Sequence, residues 1–336
     1  MKFGVLQFFS WPERRVPIET VYARALDRVH MMDENGYDAV WLAEHHFSGY
    51  SVSPSVLLMA THVAATTSNV RIGTAITLAA FYQPLRLAEE LGMLDVLSGG
   101  RVNWGAGRGF DKVEFNAFGV APEDSYPLFR ENVEIVLEAW RNERLTYEGT
   151  YHSFHDVEVL PKPLQQPHPP VWMASSSPEA IEWSASEGHS ILMDPHSPHS
   201  EIGRKFGLYE SELAKHGHSV EGRDTPMARL LAVGDTDDEA LDVAAAGAQW
   251  MFRSYMDPKM KNVLSDLRSP EGRKEGVTVR DPDRYLKDII IHGSPESVID
   301  QIAELRESIS LNYLLCAPLS HKSFVLFTEK VLPKFL

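Results

Sequence analysis

Three titratable residues stand next to one another in "VWLAEHHF" (40–47), where an apolar run ends at Glu44, His45 and His46. An imidazole with an ordinary pKa of about 6.5 can give or accept a proton near neutral pH, which suits acid/base chemistry. Adjacent residues of a strand point to opposite faces, so one histidine can face a pocket while the other packs behind the strand. A metal site is a minority interpretation, because the helical H-E-x-x-H spacing of zinc enzymes is absent. The stretch predicts one pocket-facing acid/base group, with a fully packed structural histidine as the alternative.

Two further stretches could bind phosphate. "WGAGRGF" (104–110) places three glycines around Arg108, and glycines allow the close backbone approach of a ligand that a guanidinium can then bind. "ASSSPEA" (174–180) begins a helix, with Ser177 as the predicted N-cap, and the free N–H groups of a helix start can bind an anion. A tight turn with a surface arginine explains the first stretch about as well. Helix capping alone explains much of the second, because the same pattern recurs in "GSPESV" (293–298).

Short apolar strands alternate with amphipathic helices along the chain and position these stretches. Eight strands are predicted to begin near residues 2, 39, 70, 102, 171, 190, 228 and 311. Such alternation predicts a parallel sheet in an α/β protein, and eight strands in 336 residues predict one (β/α)8 TIM barrel domain over 1–336. An open doubly wound sheet is the second candidate. In a barrel, all the candidate residues follow strands whose carboxyl ends meet at one mouth.

A polar segment interrupts the alternation before the last helix and strand. Residues 253–284 contain "SPEGRKEG" and several lysines and arginines, a composition that packs poorly. The segment is predicted to be an inserted, mobile lid over the mouth.

Composition limits the possible partners. The 47 acidic and 32 basic residues give a formal charge of −15, which argues against nucleic acid or an anionic membrane as the partner. Cys316 is the only cysteine, so no intramolecular disulfide can form. A signal peptide and a membrane-spanning apolar run are both missing from the sequence pattern, and we expect a soluble, cytoplasmic protein.

Taken together, five stretches resemble the bacterial luciferase-like flavin-dependent monooxygenases in their order along the chain. They are "MKFGVLQ", "GYDAVWLAEHHF", "VRIGTAITL", "LDVLSGGRVNWGAGRGF" and "VWMASSSPEAIEWSASEG". The resemblance implies a (β/α)8 barrel, usually dimeric, that binds reduced FMN at its mouth. It also implies a separate NAD(P)H-dependent flavin reductase as partner. In that family O2 adds at the flavin C4a position, and the resulting peroxide oxidises a small organic substrate.

The resemblance also assigns roles to single residues. His45 matches the catalytic histidine. Glu44, on the opposite side of the strand, is predicted to orient a neighbouring group or close a polar contact behind the strand. Gly107 stands where luciferase has a reactive cysteine, which predicts open space near the flavin and no light emission. The predicted FMN contacts begin with a non-prolyl cis peptide beneath the flavin ring, between Ala75 and Ile76. The phosphate is predicted to contact Arg108, Ser175 and Ser176, and the predicted cofactor-binding residues also include Ala174 and Ser177.

Other functions fit parts of this pattern. A deazaflavin (F420) oxidoreductase shares the barrel and the cis peptide, although "EHHF" is closer to the FMN branch. A non-catalytic flavin-binding protein is the candidate from a different class, and a metal hydrolase is a distant third. The sequence does not identify the substrate.

Overall fold

A curled sheet of parallel strands lies at the centre of the computed structural model, which describes residues 1–255, 282–309 and 311–336. A two-stranded antiparallel hairpin, β6–β7, stands apart from this sheet. The strands are β1 (Lys2–Gln7), β2 (Ala39–Leu42), β3 (Arg71–Thr74), β4 (Thr77–Leu78), β5 (Val102–Gly107), β6 (Leu145–Glu148), β7 (Ser153–Val157), β8 (Val171–Ala174), β9 (Ser190–Leu192), β10 (Pro226–Val233), β11 (Ile291–Gly293) and β12 (Tyr313–Pro318).

The order of the strands brings the two ends of the chain together. Neighbouring strands are β11-β10-β12-β1-β2-β3-β5-β8-β9, and β4 pairs with β5. A single parallel bridge between Met193, just after β9, and Met227 of β10 also joins the two sides of the curled sheet. Most neighbours are consecutive in the chain and the first strand lies beside the last, which does not fit an open doubly wound sheet.

Helices connect most of the strands and cover the outside of the sheet. Several begin at a serine whose hydroxyl accepts a backbone N–H of the first turn, as Ser55 does from Leu58 and Ser294 from Ser297. The helices are α1 (Ile18–Glu34), α2 (Val56–Thr66), α3 (Pro84–Leu97), α4 (Lys112–Phe118), α5 (Ser125–Arg141), α6 (Pro178–Ser186), α7 (His199–Lys215), α8 (Asp237–Tyr255), α9 (Pro282–Asp288), α10 (Pro295–Ser308) and α11 (His321–Leu326). In the described part of the chain, none of them has the length and apolar character needed to cross a membrane.

The strands bury apolar side chains on both faces of the sheet. Alternate positions such as Leu6, Trp41 and Trp172 pack together inside the curl, while a larger apolar layer lies between the strands and the helices. Gly73 shows how tight the inner packing is, because a Cβ atom there would lie 2.3 Å from the Trp41 ring. Only glycine therefore leaves room for this tryptophan.

All eight predicted strands are present, each starting within two residues of the expected position. The short strands β4 and β11 and the β6–β7 hairpin were not predicted. The predicted bounds of the polar segment, 253–284, are wrong at both ends, because α8 continues to Tyr255 and α9 begins at Pro282. The predicted lid otherwise falls on residues 256–281, which lie outside the described part of the chain.

Candidate active site

The predicted site residues lie at one edge of the sheet, which we call the mouth: the edge formed by the carboxyl ends of the parallel strands. Glu44 follows β2, Ala75 follows β3, Gly107 ends β5, and Ser175 follows β8. Because parallel strands end on the same side, these residues converge although they are far apart in the sequence.

Glu44 lies behind the mouth as the centre of a hydrogen-bond cluster. Its buried carboxylate accepts hydrogen bonds from His46 Nε2 (3.0 Å), the Tyr82 hydroxyl (3.0 Å) and the Leu78 backbone N–H (3.3 Å). Burial raises the pKa of Glu44, and the hydrogen bonds from His46 and Tyr82 oppose that rise. This carboxylate therefore contacts the ring of His46 and not that of His45.

His45 lies in an aromatic surrounding with one carboxylate facing it. Its side chain is 15% exposed, and its ring contacts those of Phe8, Tyr50 and Phe110, with centroids 6.4, 4.8 and 6.0 Å away. The Nδ1 atom lies 3.7 Å from Oε1 of Glu114 in α4. The two histidines therefore contact different carboxylates. Strand alternation is not the direct reason, because β2 ends at Leu42 and both histidines belong to the loop that follows.

Small apolar groups form a surface beside this loop. The peptide bond between Ala75 and Ile76 is cis, as predicted. A Cβ atom on Gly107 would lie 1.9 Å from Ile76 Cδ1 and 3.1 Å from the Ala174 Cβ atom, so these residues come together. The prediction of open space at Gly107 is wrong, because the Ile76 side chain fills it.

Arg108 is a cation without an acidic partner in the described residues. Its guanidinium carbon lies 4.1 Å from the Tyr126 ring centroid, and Nη1 donates to the Ser125 hydroxyl at 3.2 Å. None of the ion pairs among the described residues involves it. Burial lowers the pKa of Arg108, yet a guanidinium remains charged at neutral pH. A partly buried positive charge of this kind favours an anionic ligand.

The start of α6 has the predicted cap, with one correction. Ser177 is the N-cap and accepts the Ala180 N–H, and Ser176 is exposed. Ser175 is instead buried, and its hydroxyl lies 2.8 Å from that of Ser184 while its N–H bonds to Leu192. Both polar groups of Ser175 are thus used within the protein, which argues against the predicted phosphate contact.

A polar cluster after β9 was missed from the sequence. The Asp194 carboxylate accepts hydrogen bonds from Ser197 Oγ (2.9 Å) and Lys205 Nζ (3.3 Å), and His196 Nδ1 lies 2.5 Å from the Tyr285 hydroxyl. Burial lowers the pKa of His196 to about 4, although the neighbouring Asp194 carboxylate opposes that shift. The available signal was "ILMDPH" (191–196), an apolar strand followed by titratable residues, like the stretch at Glu44.

Comparison with known proteins shows the family of this chain. The chain belongs to the luciferase-like monooxygenase family, whose model matches residues 1–311. One relative is the oxygenase component of the flavin-dependent trigonelline monooxygenase of Acinetobacter baylyi, 27% identical, with 90% of this chain and 85% of that protein covered. A protein of Sinorhizobium fredii is 32% identical, and the match covers 66% of this chain and 63% of that protein.

Solved structures share the fold over the whole chain. Monooxygenase RslO1 from Streptomyces bottropensis has a TM-score of 0.84 and 26% identity, with 100% of both chains covered. The oxygenating constituent of 3,6-diketocamphane monooxygenase from Pseudomonas putida, in complex with FMN, has a TM-score of 0.82 and 19% identity, with 100% of this chain and 99% of that chain covered. The same fold also occurs in F420-dependent enzymes.

Proposed function

We propose that the chain is the oxygenase component of a two-component flavin-dependent monooxygenase, which uses reduced FMN and O2 to oxygenate a small organic substrate. The observation that carries this proposal is the convergence at the mouth of an apolar surface, a histidine and an arginine that has no acidic partner among the described residues. Ala75, Ile76, Gly107 and Ala174 form the surface, while Arg108 and His45 supply the two polar groups.

These residues fit FMN. A flavin ring is flat and largely apolar, so it packs well against glycine, alanine and a single isoleucine. A phosphate suits the Arg108 guanidinium together with the hydroxyls of Ser176 and Ser177 at the start of α6, where N–H groups point outward. Reduced FMN would supply the activation of O2, by way of a C4a-peroxyflavin.

The chain's own groups would then control protons and water. His45 would hold or transfer a proton at one of its ring nitrogens, and Phe8, Tyr50 and Phe110 would keep water from that ring. Glu44 acts indirectly, since it binds the ring of His46. The three aromatic rings favour a substrate with an apolar part.

Two measurements test the proposal. Binding of FMN, riboflavin and F420 should rank FMN first, because riboflavin has no phosphate for Arg108. Turnover with O2, a flavin reductase and NAD(P)H should consume one or more members of a panel of aldehydes, ketones, terpenes and sulfur compounds. Tight F420 binding with no oxygen uptake would indicate an F420-dependent oxidoreductase instead. FMN binding without turnover of any compound would indicate a non-catalytic flavin-binding protein.

We also infer the assembly and its location. The curled sheet with its Met193–Met227 bridge supports a closed (β/α)8 barrel forming one domain. Met93, Val96 and Leu97 follow one another on an exposed face of α3, and this apolar stripe supports a homodimer. A reductase that takes electrons from NAD(P)H supports a place in the cytoplasm.

A further inference from the structure

We propose that Glu114 is a positioning residue that fixes His45 in the tautomer with hydrogen on Nδ1 and so presents Nε2 as a proton acceptor at the mouth. The inference rests on the two contacts of one oxygen atom, Oε1 of Glu114. Glu114 Oε1 lies 3.7 Å from His45 Nδ1 and also accepts the backbone N–H of His46 at 2.8 Å. The Glu114 side chain is only 1% exposed, so this oxygen has little access to water.

The surroundings of Glu114 leave the histidines as its main partners. Among the described residues it forms no ion pair with lysine or arginine, and its carboxylate faces Nδ1 of His45 at 3.7 Å instead. A buried carboxylate without a cation is costly, so an N–H of the neighbouring imidazole stabilises it. Asp111, the N-cap of α4, is also buried, but its carboxylate accepts the backbone N–H of Val113.

The consequence concerns which nitrogen of His45 carries hydrogen. Free imidazole side chains in water favour hydrogen on Nε2, whereas a carboxylate beside Nδ1 favours hydrogen there. The 3.7 Å separation is longer than a hydrogen bond, but such contacts in sites without ligand often shorten when substrate binds. In the part of the chain that the structure describes, the rings that contact His45 belong to Phe8, Tyr50 and Phe110, and Glu114 is the carboxylate within ion-pair distance of its Nδ1 atom.

The catalytic meaning rests on the proposed function. With hydrogen on Nδ1, the Nε2 lone pair accepts a proton from a group bound at the mouth, and the resulting imidazolium is stabilised by Glu114. The same proton returns from Nε2 later in the cycle, so Glu114 keeps its charge throughout. A carboxylate in this role orients its histidine without touching the reacting atoms.

The test is the tautomer itself, read from the 15N chemical shifts of the ring nitrogens in protein labelled at histidine. The spectrum is recorded without flavin at a pH where imidazoles are neutral, and the His45→Gln variant identifies the signal. We expect hydrogen on Nδ1 in the wild type and a shift toward hydrogen on Nε2 in Glu114→Gln, which keeps an acceptor for the His46 N–H. Asp111→Asn, the matched control, should leave the tautomer unchanged.

Hydrogen on Nε2 in the wild type, or an unchanged tautomer in Glu114→Gln, would overturn the inference. So would an equal shift in Asp111→Asn. In turnover, Glu114→Gln should bind FMN as the wild type does, yet lose product several-fold while peroxide release rises. If the tautomer behaves as expected but the wild type neither binds flavin nor consumes O2, the inference about Glu114 stands and the proposed function fails.

Discussion

A substitution of the single residue Arg108 tests whether the protein binds the phosphate of FMN. Its guanidinium has no carboxylate partner in the described residues and lies over the Tyr126 ring. A charge-assisted contact to phosphate contributes roughly 1.5–3 kcal/mol, so Arg108→Ala should weaken FMN by more than tenfold and riboflavin far less. Calorimetric titration of both ligands is the measurement. Arg144→Ala, at an exposed ion pair with Asp156, is the control and should change neither affinity. Equal loss of FMN and riboflavin would place the phosphate elsewhere.

The two adjacent histidines should separate into different effects. His45→Ala should fold and bind flavin but lose product while peroxide release rises, because the ring facing the mouth is gone. His46→Ala removes a donor from the buried Glu44 carboxylate and should lower the free energy of unfolding by about 1–3 kcal/mol. The measurements are product and peroxide per reduced FMN, and urea denaturation. Unchanged coupling in His45→Ala would leave these histidines as a polar rim.

Residue types at strand ends were readable from the sequence, but their contacts were not. The adjacent residues Glu44, His45 and His46 predicted an acid/base site because three titratable groups follow an apolar strand directly. The partner Glu114 is 68 residues away from His46 and was invisible, because only the fold brings α4 to the β2 loop. The partner of Ser175 was hidden for a related reason, since its sequence position matched a ligand contact while its hydroxyl lies against that of Ser184 in the fold.

At the scale of elements, the end of β5 packs tightly against the turn before β4, where Gly107 lies against the Ile76 side chain. Gly107→Ala should destabilise the protein by about 1–3 kcal/mol, because the new methyl group collides with Ile76 Cδ1. Ile76→Val removes that atom, so the double variant should recover part of the loss. Gly207→Ala is the control, since a Cβ atom there meets nothing within 4 Å and α7 should gain slightly. The measurement is the denaturation midpoint of each variant. If the loss in the double variant equals the sum of the losses in the two single variants, the contact is contradicted.

Long, strongly patterned elements were predicted well, and short ones were not. The eight strands are mostly apolar, and such runs are typical of buried parallel strands. Strand β4 has two residues and depends on its pairing with β5, and the β6–β7 hairpin is largely exposed. Glu131 anchors the hairpin turn by accepting the N–H groups of residues 150–152, a tertiary contact that no local pattern encodes.

At the scale of the whole molecule, buried histidines should make stability depend on pH. Burial lowers the pKa of His189, His196 and His199 to about 4 each, while their ordinary value is 6.5. Between these values the unfolded chain binds more protons, so the free energy of unfolding should fall as the pH drops from 6.5 toward 4. Each histidine contributes a slope of up to about 1.4 kcal/mol per pH unit.

Denaturation at a series of pH values measures this slope. His189→Gln should make it shallower by about that single contribution. Tyr209→Phe is the control, because it removes a hydrogen bond to the His189 carbonyl and should lower stability equally at each pH. An unchanged slope in His189→Gln would contradict the prediction.

The proposed dimer has its own test. Leu97→Glu places a charge in the exposed apolar stripe of α3 and should produce monomers, since burying an unpaired carboxylate in an interface is costly. Leu241→Glu, at an exposed leucine of α8, is the control. Sedimentation velocity decides between the two states. A monomeric wild type, or a dimer that Leu97→Glu leaves intact, would contradict the assignment.

The pairing of β1 with β12 has a consequence for synthesis on the ribosome. Strand β1 emerges first, yet one of its two edges stays without a partner until Tyr313–Pro318 have been translated. The rings of Phe327 and Phe335, which pack against Phe3, emerge later still. At about 5–20 residues per second, a nascent chain spends many seconds with that edge exposed to other chains. We therefore expect chaperones to bind the growing polypeptide until β12 and Phe335 have left the exit tunnel.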